Sequence, residues 1–279
     1  MTFCWLSLKD LQDSHVGQAG LVLAHGPSLN KIKPHLEDFR KANGVIFGCN
    51  DWYKMYSVTP DYWVMANADI NVQTECKKIH ESQDQLRALI YADSADVTDR
   101  RWIEKNFNVP VLAYDQRHFQ GSPCSKRRLK PYKILKRRLL RNKICCDQII
   151  PGRLTIQEYL AKYLGSEMRY STGNTVALHQ ISLAIIAGCN PIYFVGVDLD
   201  YRLGYANKSF PPDVAYFDLD KNEILRDLLT IRDAADKKGI QIKNLNMEST
   251  YSVIDLEEIE RIEYFHIQDP SKAIFESRQ

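Results

Sequence analysis

The sequence predicts an α/β fold: a Rossmann-like, mostly parallel sheet with helices on both faces and an inserted lid. Two observations lead to this prediction. Short apolar runs with the pattern of buried strands alternate with helical stretches, at the spacing of parallel βαβ units. Polar residues also follow several of these runs directly, at the carboxyl ends where open parallel sheets bind ligands.

The apolar runs define the predicted strands. The first, at 20–24, continues into His25-Gly26-Pro27-Ser28 and an amphipathic segment, so it predicts a strand, a turn and a helix with Ser28 as the N-cap. The run at 191–197 is the most apolar, and we therefore expect it to lie centrally in the sheet. The other predicted strands are 44–48, 61–65, 88–91, 109–114 and 240–245.

Three longer segments have helical periodicity, at 153–164, 175–187 and 223–238. The segment at 175–187 is apolar on most of its surface, which predicts a buried helix that ends at Gly188. The segment at 223–238 is amphipathic and ends at Gly239. The whole chain, 1–279, is predicted to form one domain with two excursions, a basic segment at 116–146 and a lid at 202–220.

Composition limits the class of protein. Hydrophobic residues make up 44% and charged residues 26% of the chain, as in ordinary soluble globular proteins. No apolar run is long enough to span a bilayer, and the first residues lack a cleavable signal pattern, so we expect a cytoplasmic location. The seven cysteines have no C-x-x-C spacing, which predicts reduced, mostly buried thiols and no metal site.

The basic character of the chain is concentrated in one segment. No acidic residue occurs between Asp115 and Asp147, whereas ten lysines and arginines lie from Lys126 to Lys143. Leucine and isoleucine are interspersed among them, which favours attachment to an anionic membrane surface at the inner face of the cytoplasmic membrane. A solvated basic helix is the alternative. Nucleic acid is not expected as a partner because the segment matches no known nucleic-acid-binding module.

Polar clusters at the predicted strand ends define a candidate site. Because the carboxyl ends of parallel strands share one edge, we expect these clusters to converge on a nucleotide-linked substrate. A further cluster precedes the helix at 175–187, where free N–H groups suit a phosphate. Each cluster is also compatible with an ordinary turn or helix cap. The clusters are 25–28, Asn50-Asp51, Asn67-Ala68-Asp69, Ser171-Thr172-Gly173-Asn174 and Asp198-Leu199-Asp200-Tyr201.

Several common catalytic patterns are missing from the sequence. No G-x-G-x-x-G follows the first strand, and no P-loop pattern occurs, which disfavours nicotinamide cofactors and P-loop ATP hydrolysis. There is also no G-x-S-x-G elbow and no H-E-x-x-H. We therefore expect neither a resident metal nor a resident cofactor.

The order of the motifs resembles that of the family 42 sialyltransferases. One strand ends in G-P-S-L, the next in C-N, and the third is followed by Asn67. Arg169 begins an Arg-x-x-Thr-Gly stretch, which leads through a small-residue helix to I-Y-x-x-G-x-D at Asp198. The resemblance covers about two-thirds of the chain. The same outline resembles bacterial proteins related to the archaeal 6-hydroxymethylpterin diphosphokinases.

The resemblance to the sialyltransferases implies a glycosyltransferase that works without a metal. It would transfer an acidic sugar, sialic-acid-like or Kdo-like, from a CMP-activated donor to a cell-surface glycan or glycolipid, as in lipopolysaccharide or capsule biosynthesis. A homo-oligomer is compatible with this function. Carried over by position, the donor-binding residues are Gly26, Pro27, Ser28, Asn50, Asn67, Arg169, Thr172, Gly173, Gly196, Asp198 and Tyr201.

The chain departs from the family pattern where catalysis is concerned. His25 replaces the family's Asn before G-P-S-L, and Asp200 stands where the family has Tyr. The family's general base is a His in the lid, but no His occurs between Asp198 and Gly239. The candidate catalytic residues are therefore Asp200, His25 and Tyr205. Beside a phosphate His25 would favour its charged form, so it could stabilise the leaving group instead of acting as the base.

Two other functions stay open at this point. In a diphosphokinase that acts on a pterin-like alcohol, Asp198 and Asp200 would hold Mg²⁺, and ATP would be the donor. A catalytically inactive nucleotide-binding protein is the third possibility, because the lid His is missing. For His25 the alternative to a catalytic role is a hydrogen-bonded structural residue, and His179, on the predicted buried helix, is expected to be structural.

Overall fold

The computed structural model describes residues 3–65, 85–93, 103–115, 156–166, 175–199, 204–210 and 217–245. Its strands form one sheet in which every hydrogen-bonded pair is parallel. The strands are β1 (Cys4–Leu6), β2 (Gly20–Leu23), β3 (Val45–Cys49), β4 (Tyr62–Met65), β5 (Ala88–Asp93), β6 (Pro110–Asp115), β7 (Ile192–Val195) and β8 (Ile242–Asn244). Their order across the sheet is β1-β6-β5-β4-β3-β2-β7-β8.

The predicted fold class is confirmed, with two corrections to the strands. Every predicted strand is present with small shifts at its ends, and β1, which was not predicted, pairs with β6 at one edge. The prediction that the apolar run at 191–197 lies centrally is wrong, because β7 is next to last in the sheet, between β2 and β8. Its apolar sequence is explained by burial on both faces.

α-Helices accompany the strands in the described part of the chain. The buried helix at 175–187 is confirmed, and it ends as predicted at Gly188, whose φ of +80° suits glycine. The last helix begins at Phe217, earlier than predicted, and occupies part of the expected lid. The helices are α1 (Leu8–Leu11), α2 (Leu29–Ile32), α3 (Leu36–Lys41), α4 (Ile156–Tyr163), α5 (Val176–Ile186) and α6 (Phe217–Asp236).

Helices cover both faces of the sheet, and each face has its own core. Alternate residues of a strand point to opposite faces, so Val22 packs with α1, α4, α5 and α6 while Leu21 and Leu23 pack with α2 and α3. Val64 and Trp63 divide between the two cores in the same way. The double coverage explains why the interior strands are continuous apolar runs without polar alternation.

The strand order reverses beside β2. From β2 the chain moves through β3, β4, β5 and β6 to one side, and it later returns to place β7 on the other side of β2. In open parallel sheets such a reversal leaves a crevice at the carboxyl ends of the two strands, where ligands bind. We call the carboxyl ends of β2 and β7, residues 24–28 and 196–198, the β2–β7 junction.

The basic segment at 116–146 lies outside the described residues, so its attachment to a membrane stays a prediction, as does the assignment of 1–279 to one domain. Among the helices that the structure describes, none has the length and apolar character needed to cross a bilayer.

Candidate functional site

Four residues predicted to bind the donor contact one another at the β2–β7 junction. The Gly26 N–H donates to the Gly196 carbonyl at 2.8 Å, and the Gly196 N–H donates to Ser28 Oγ at 2.9 Å. The Ser28 N–H in turn donates to Asp198 Oδ2 at 3.0 Å. Residues that are about 170 positions apart are thus joined by three hydrogen bonds, and the structure confirms that they converge.

Both glycines of the junction are required by close approach of the backbone. A Cβ on Gly26 would collide with the Asp198 carboxylate and would lie 2.6 Å from the Gly196 carbonyl oxygen. A Cβ on Gly196 would lie 2.5 Å from the Ala24 carbonyl oxygen, and Gly196 also has a φ of +78°. The two strand ends therefore come together as closely as glycine allows.

Ser28 occupies the N-cap position of α2, as predicted, but without a side-chain cap. The hydroxyl makes no capping bond and accepts the Gly196 N–H instead. The buried carboxylate of Asp198 takes the Ser28 N–H at the start of α2. A carboxylate in this position repels a phosphate and can accept hydrogen bonds from hydroxyl groups.

His25 links the end of β2 to the turn after β3. Its Nε2 lies 3.0 Å from the Cys49 carbonyl oxygen, and its Nδ1 lies 3.5 Å from Asp51 Oδ1. Asp51 is shared with Lys54, whose Nζ lies 3.5 Å from the other carboxylate oxygen. Burial lowers the pKa of His25, although the Asp51 carboxylate opposes this shift. Because both ring nitrogens face protein acceptors, the geometry disfavours His25 as a general base.

Cys49 lies beside His25, but its environment keeps the thiol protonated. The sulfur lies 3.5 Å from the Leu23 carbonyl oxygen and 3.5 Å from His25 Nε2. Burial raises the pKa of the Cys49 thiol well above its usual range, so a thiolate nucleophile is disfavoured. The expectation of free, buried thiols is confirmed for Cys49 and Cys189, whereas Cys4 is exposed.

Sequence reasoning missed Gln180 as a support of the site. This fully buried residue of α5 donates from Nε2 to the Phe47 carbonyl at 2.8 Å and to the Leu23 carbonyl at 3.4 Å. Gln180 therefore holds β2 and β3 together next to their carboxyl ends. The signal for this role was a single amide among the apolar residues of the buried helix.

One described part of the predicted lid, 204–210, is bonded to the turns that follow β2 and β3. The Ala206 N–H donates to the His25 carbonyl at 2.7 Å, and Asn207 Nδ2 donates to the Lys54 carbonyl at 2.9 Å. Tyr205, a candidate catalytic residue, packs edge to face against Phe210 with 6.2 Å between ring centroids. The segment is thus bonded to the turn after β2 and to the turn after β3, and its action as a lid stays a prediction.

Asn50 closes the end of β3 through its backbone. Its N–H donates to the Val64 carbonyl at 2.9 Å, and its carbonyl accepts the Trp63 indole N–H at 2.6 Å. Its φ of +40° is one that Asn adopts more readily than most residues. The contact of its side chain with the nucleotide stays a prediction.

Part of the predicted site lies outside the described residues. The start of α5 is described, and Thr175 caps it by accepting the Ala177 N–H on Oγ1 at 3.3 Å, so the 171–174 cluster immediately precedes the helix. Pro27 lies within the turn of the junction. The undescribed candidates are Asn67, Arg169, Thr172, Gly173, Asp200 and Tyr201.

Two comparisons of the sequence with known proteins found no match. No protein-family model matches it, and no curated protein is significantly similar to it. Across the ranges that the structure describes, no three His, Cys, Asp or Glu side chains are grouped as metal ligands would be.

Proposed function

We propose that this protein is a glycosyltransferase that takes an acidic sugar from a CMP-activated donor and binds the nucleoside at the β2–β7 junction. The observation that supports this most is the position of the junction, because the strand order of the sheet reverses there. Gly26, Ser28, Gly196 and Asp198 also approach one another there, although they come from distant parts of the chain.

The chemistry of the junction favours a nucleoside over a bare phosphate. Asp198 is buried, and its carboxylate can accept hydrogen bonds from ribose hydroxyls. The charge on Asp198 would repel a phosphate placed at the same point, so the phosphate and the sugar would extend towards the ends of β2 and β3. His25, Lys33 and Lys54 provide basic side chains on that side.

Transfer of the sugar also needs a group that takes the proton of the acceptor hydroxyl. Asp200 is our candidate for this base, because it follows the junction directly, two residues beyond Asp198. Tyr205 is the second candidate near the reacting centre. His25 is a weaker candidate for the base, since Cys49 and Asp51 face its two nitrogens.

A metal-dependent diphosphokinase is the alternative. In that function Asp198 and Asp200 would hold Mg²⁺, and ATP would be the donor. A catalytically inactive nucleotide-binding protein would use the same junction without a base.

Thermal unfolding with CMP, with UDP and with ATP plus Mg²⁺ separates these functions. We expect CMP without metal to raise the Tm by about 5 to 10 °C at a hundredfold excess over its Kd, because a ligand that binds only the folded state stabilises it. A shift with only ATP and Mg²⁺ would instead indicate the kinase. If no nucleotide changes the Tm, both enzymatic functions are excluded.

Catalysis is tested by the release of CMP from a CMP-sugar in the presence of a glycan acceptor. We expect Asp200→Ala to reduce this release by about a hundredfold or more while keeping the CMP-induced Tm shift. Asp38→Ala is the matched control, because Asp38 is an exposed aspartate on α3. Full activity of Asp200→Ala would exclude Asp200 as the base, and CMP binding without any release would indicate the inactive protein.

A further inference from the structure

We propose that Asp51 is a positioning residue for His25 and holds its ring so that both nitrogens face acceptors. In this position the imidazole takes up a proton when the anionic donor binds. This inference rests on the proposed function, because it needs a CMP-linked ligand at the β2–β7 junction. It concerns the position where His25 replaces the Asn of the resembling family.

The two acceptors beside the ring can both be satisfied only if both ring nitrogens carry a proton. The Cys49 carbonyl oxygen, 3.0 Å from Nε2, can only accept a hydrogen bond. The Asp51 carboxylate, 3.5 Å from Nδ1, is likewise an acceptor when it is ionised. A neutral imidazole has one N–H and can satisfy one of these partners. The imidazolium satisfies both, so Asp51 and the Cys49 carbonyl together favour the charged ring.

Other features oppose the charge and keep the ring neutral in the free protein. The His25 side chain is only 13% exposed, and the Lys54 ammonium competes for Asp51. The Cys49 thiol, 3.5 Å from Nε2, is uncharged. Segment 204–210 contacts His25 through the backbone N–H of Ala206, which carries no charge. The balance holds the pKa of His25 below its usual range, with burial as the main cause. Among the described groups that face the ring, Asp51 is the one whose charge favours protonation.

A bound donor would reverse this balance. Gly26 and Ser28 follow His25 directly, so a negatively charged phosphate next to the junction would lie near the ring and favour the imidazolium. The proton comes from solvent and stays on the ring. As the acceptor oxygen bonds to the anomeric carbon and gives its proton to the base, the C–O bond to the CMP phosphate breaks and its electron pair stays on the phosphate. The nearby positive charge offsets this new negative charge. His25 would thus act on the leaving group by its charge.

The protonation state of His25 is observed directly by NMR from its Cε1–H signal, which His25→Gln identifies by its loss. We expect the titration midpoint of His25 to rise by about one pH unit when CMP saturates the protein. In Asp51→Asn we expect a much smaller rise, and in Asp51→Glu a recovery of most of it. Lys54→Met removes the ammonium group that competes with His25 for Asp51, and it is expected to raise the midpoint of His25 even without CMP. Asp38→Asn is the control and should behave as wild type.

The outcomes separate the two proposals. If CMP binds but leaves the midpoint of His25 unchanged, or if Asp51→Asn shows the full rise, the role of Asp51 is refuted and the proposed function stands. If CMP does not bind the wild-type protein at all, both proposals fail. Should Asp51→Asn not fold, an unchanged midpoint in Lys54→Met would by itself contradict the role of Asp51.

Discussion

Gly26→Ala is expected to destabilise the protein by about 3 to 5 kcal/mol and to abolish CMP binding. The added methyl would collide with the Asp198 carboxylate and with the Gly196 carbonyl, so the carboxyl ends of β2 and β7 would have to move apart. That movement would also break the hydrogen bonds from Gly26 to Gly196 and from Ser28 to Asp198. Urea unfolding and CMP titration of the purified variant measure the two effects.

Gly239→Ala is a matched control for this substitution. Gly239 has a φ of +73° but no atom within 4 Å of an added Cβ, so its replacement introduces backbone strain without a collision. We expect it to cost only about 1 kcal/mol and to leave CMP binding intact. The double variant with Gly26→Ala and Asp198→Ala should regain part of the lost stability. Equal stability of Gly26→Ala and wild type would contradict the packing at the junction.

The fold is expected to lose stability in acid, in large part through His179. This residue of α5 is fully buried, and burial lowers its pKa to about 3 from an ordinary 6.5. In the unfolded chain His179 gains a proton as the pH falls through 6.5, whereas in the folded protein it stays neutral down to about pH 3. Its contribution to stability is therefore complete above pH 6.5 and is lost between there and pH 3. The total loss is about 5 kcal/mol.

Urea unfolding at pH 7 and at pH 4.5 measures this effect. We expect the free energy of unfolding to be lower by about 2.5 kcal/mol at pH 4.5 because of His179 alone. Burial also lowers the pKa values of His15 and His25, which act in the same direction. His179→Gln should show a correspondingly smaller difference between the two pH values. The same difference in wild type and His179→Gln would contradict this assignment.

The sequence allowed the fold class and the main strands to be predicted because a doubly covered parallel sheet leaves continuous apolar runs. The runs at 20–24 and 44–48 match β2 and β3 within a residue. The strand Cys4–Leu6 was missed because it has only three residues and lies at an exposed edge. The position of β7 was also mistaken, because burial on both faces does not distinguish a central strand from the one next to the edge.

The residues of the candidate site were predictable, but their partners were not. Turn chemistry singled out Ser28 and Asp198, and both lie at the junction. That Asp198 would take the Ser28 N–H, and that Ser28 Oγ would take the Gly196 N–H, depends on contacts about 170 residues apart, which local patterns do not specify. The same holds for Gln180, whose carbonyl partners come from β2 and β3.

The central claim is that a nucleotide binds at the β2–β7 junction, and hydrogen–deuterium exchange with and without CMP tests it most directly. Saturating CMP is predicted to slow the exchange of peptides that cover 24–29 and 195–199, because a ligand there stabilises both strand ends. Peptides at the amino-terminal ends of the strands, such as one that covers 59–62, should exchange at an unchanged rate. Protection confined to those amino-terminal ends, or no protection at all at the junction, would contradict the claim.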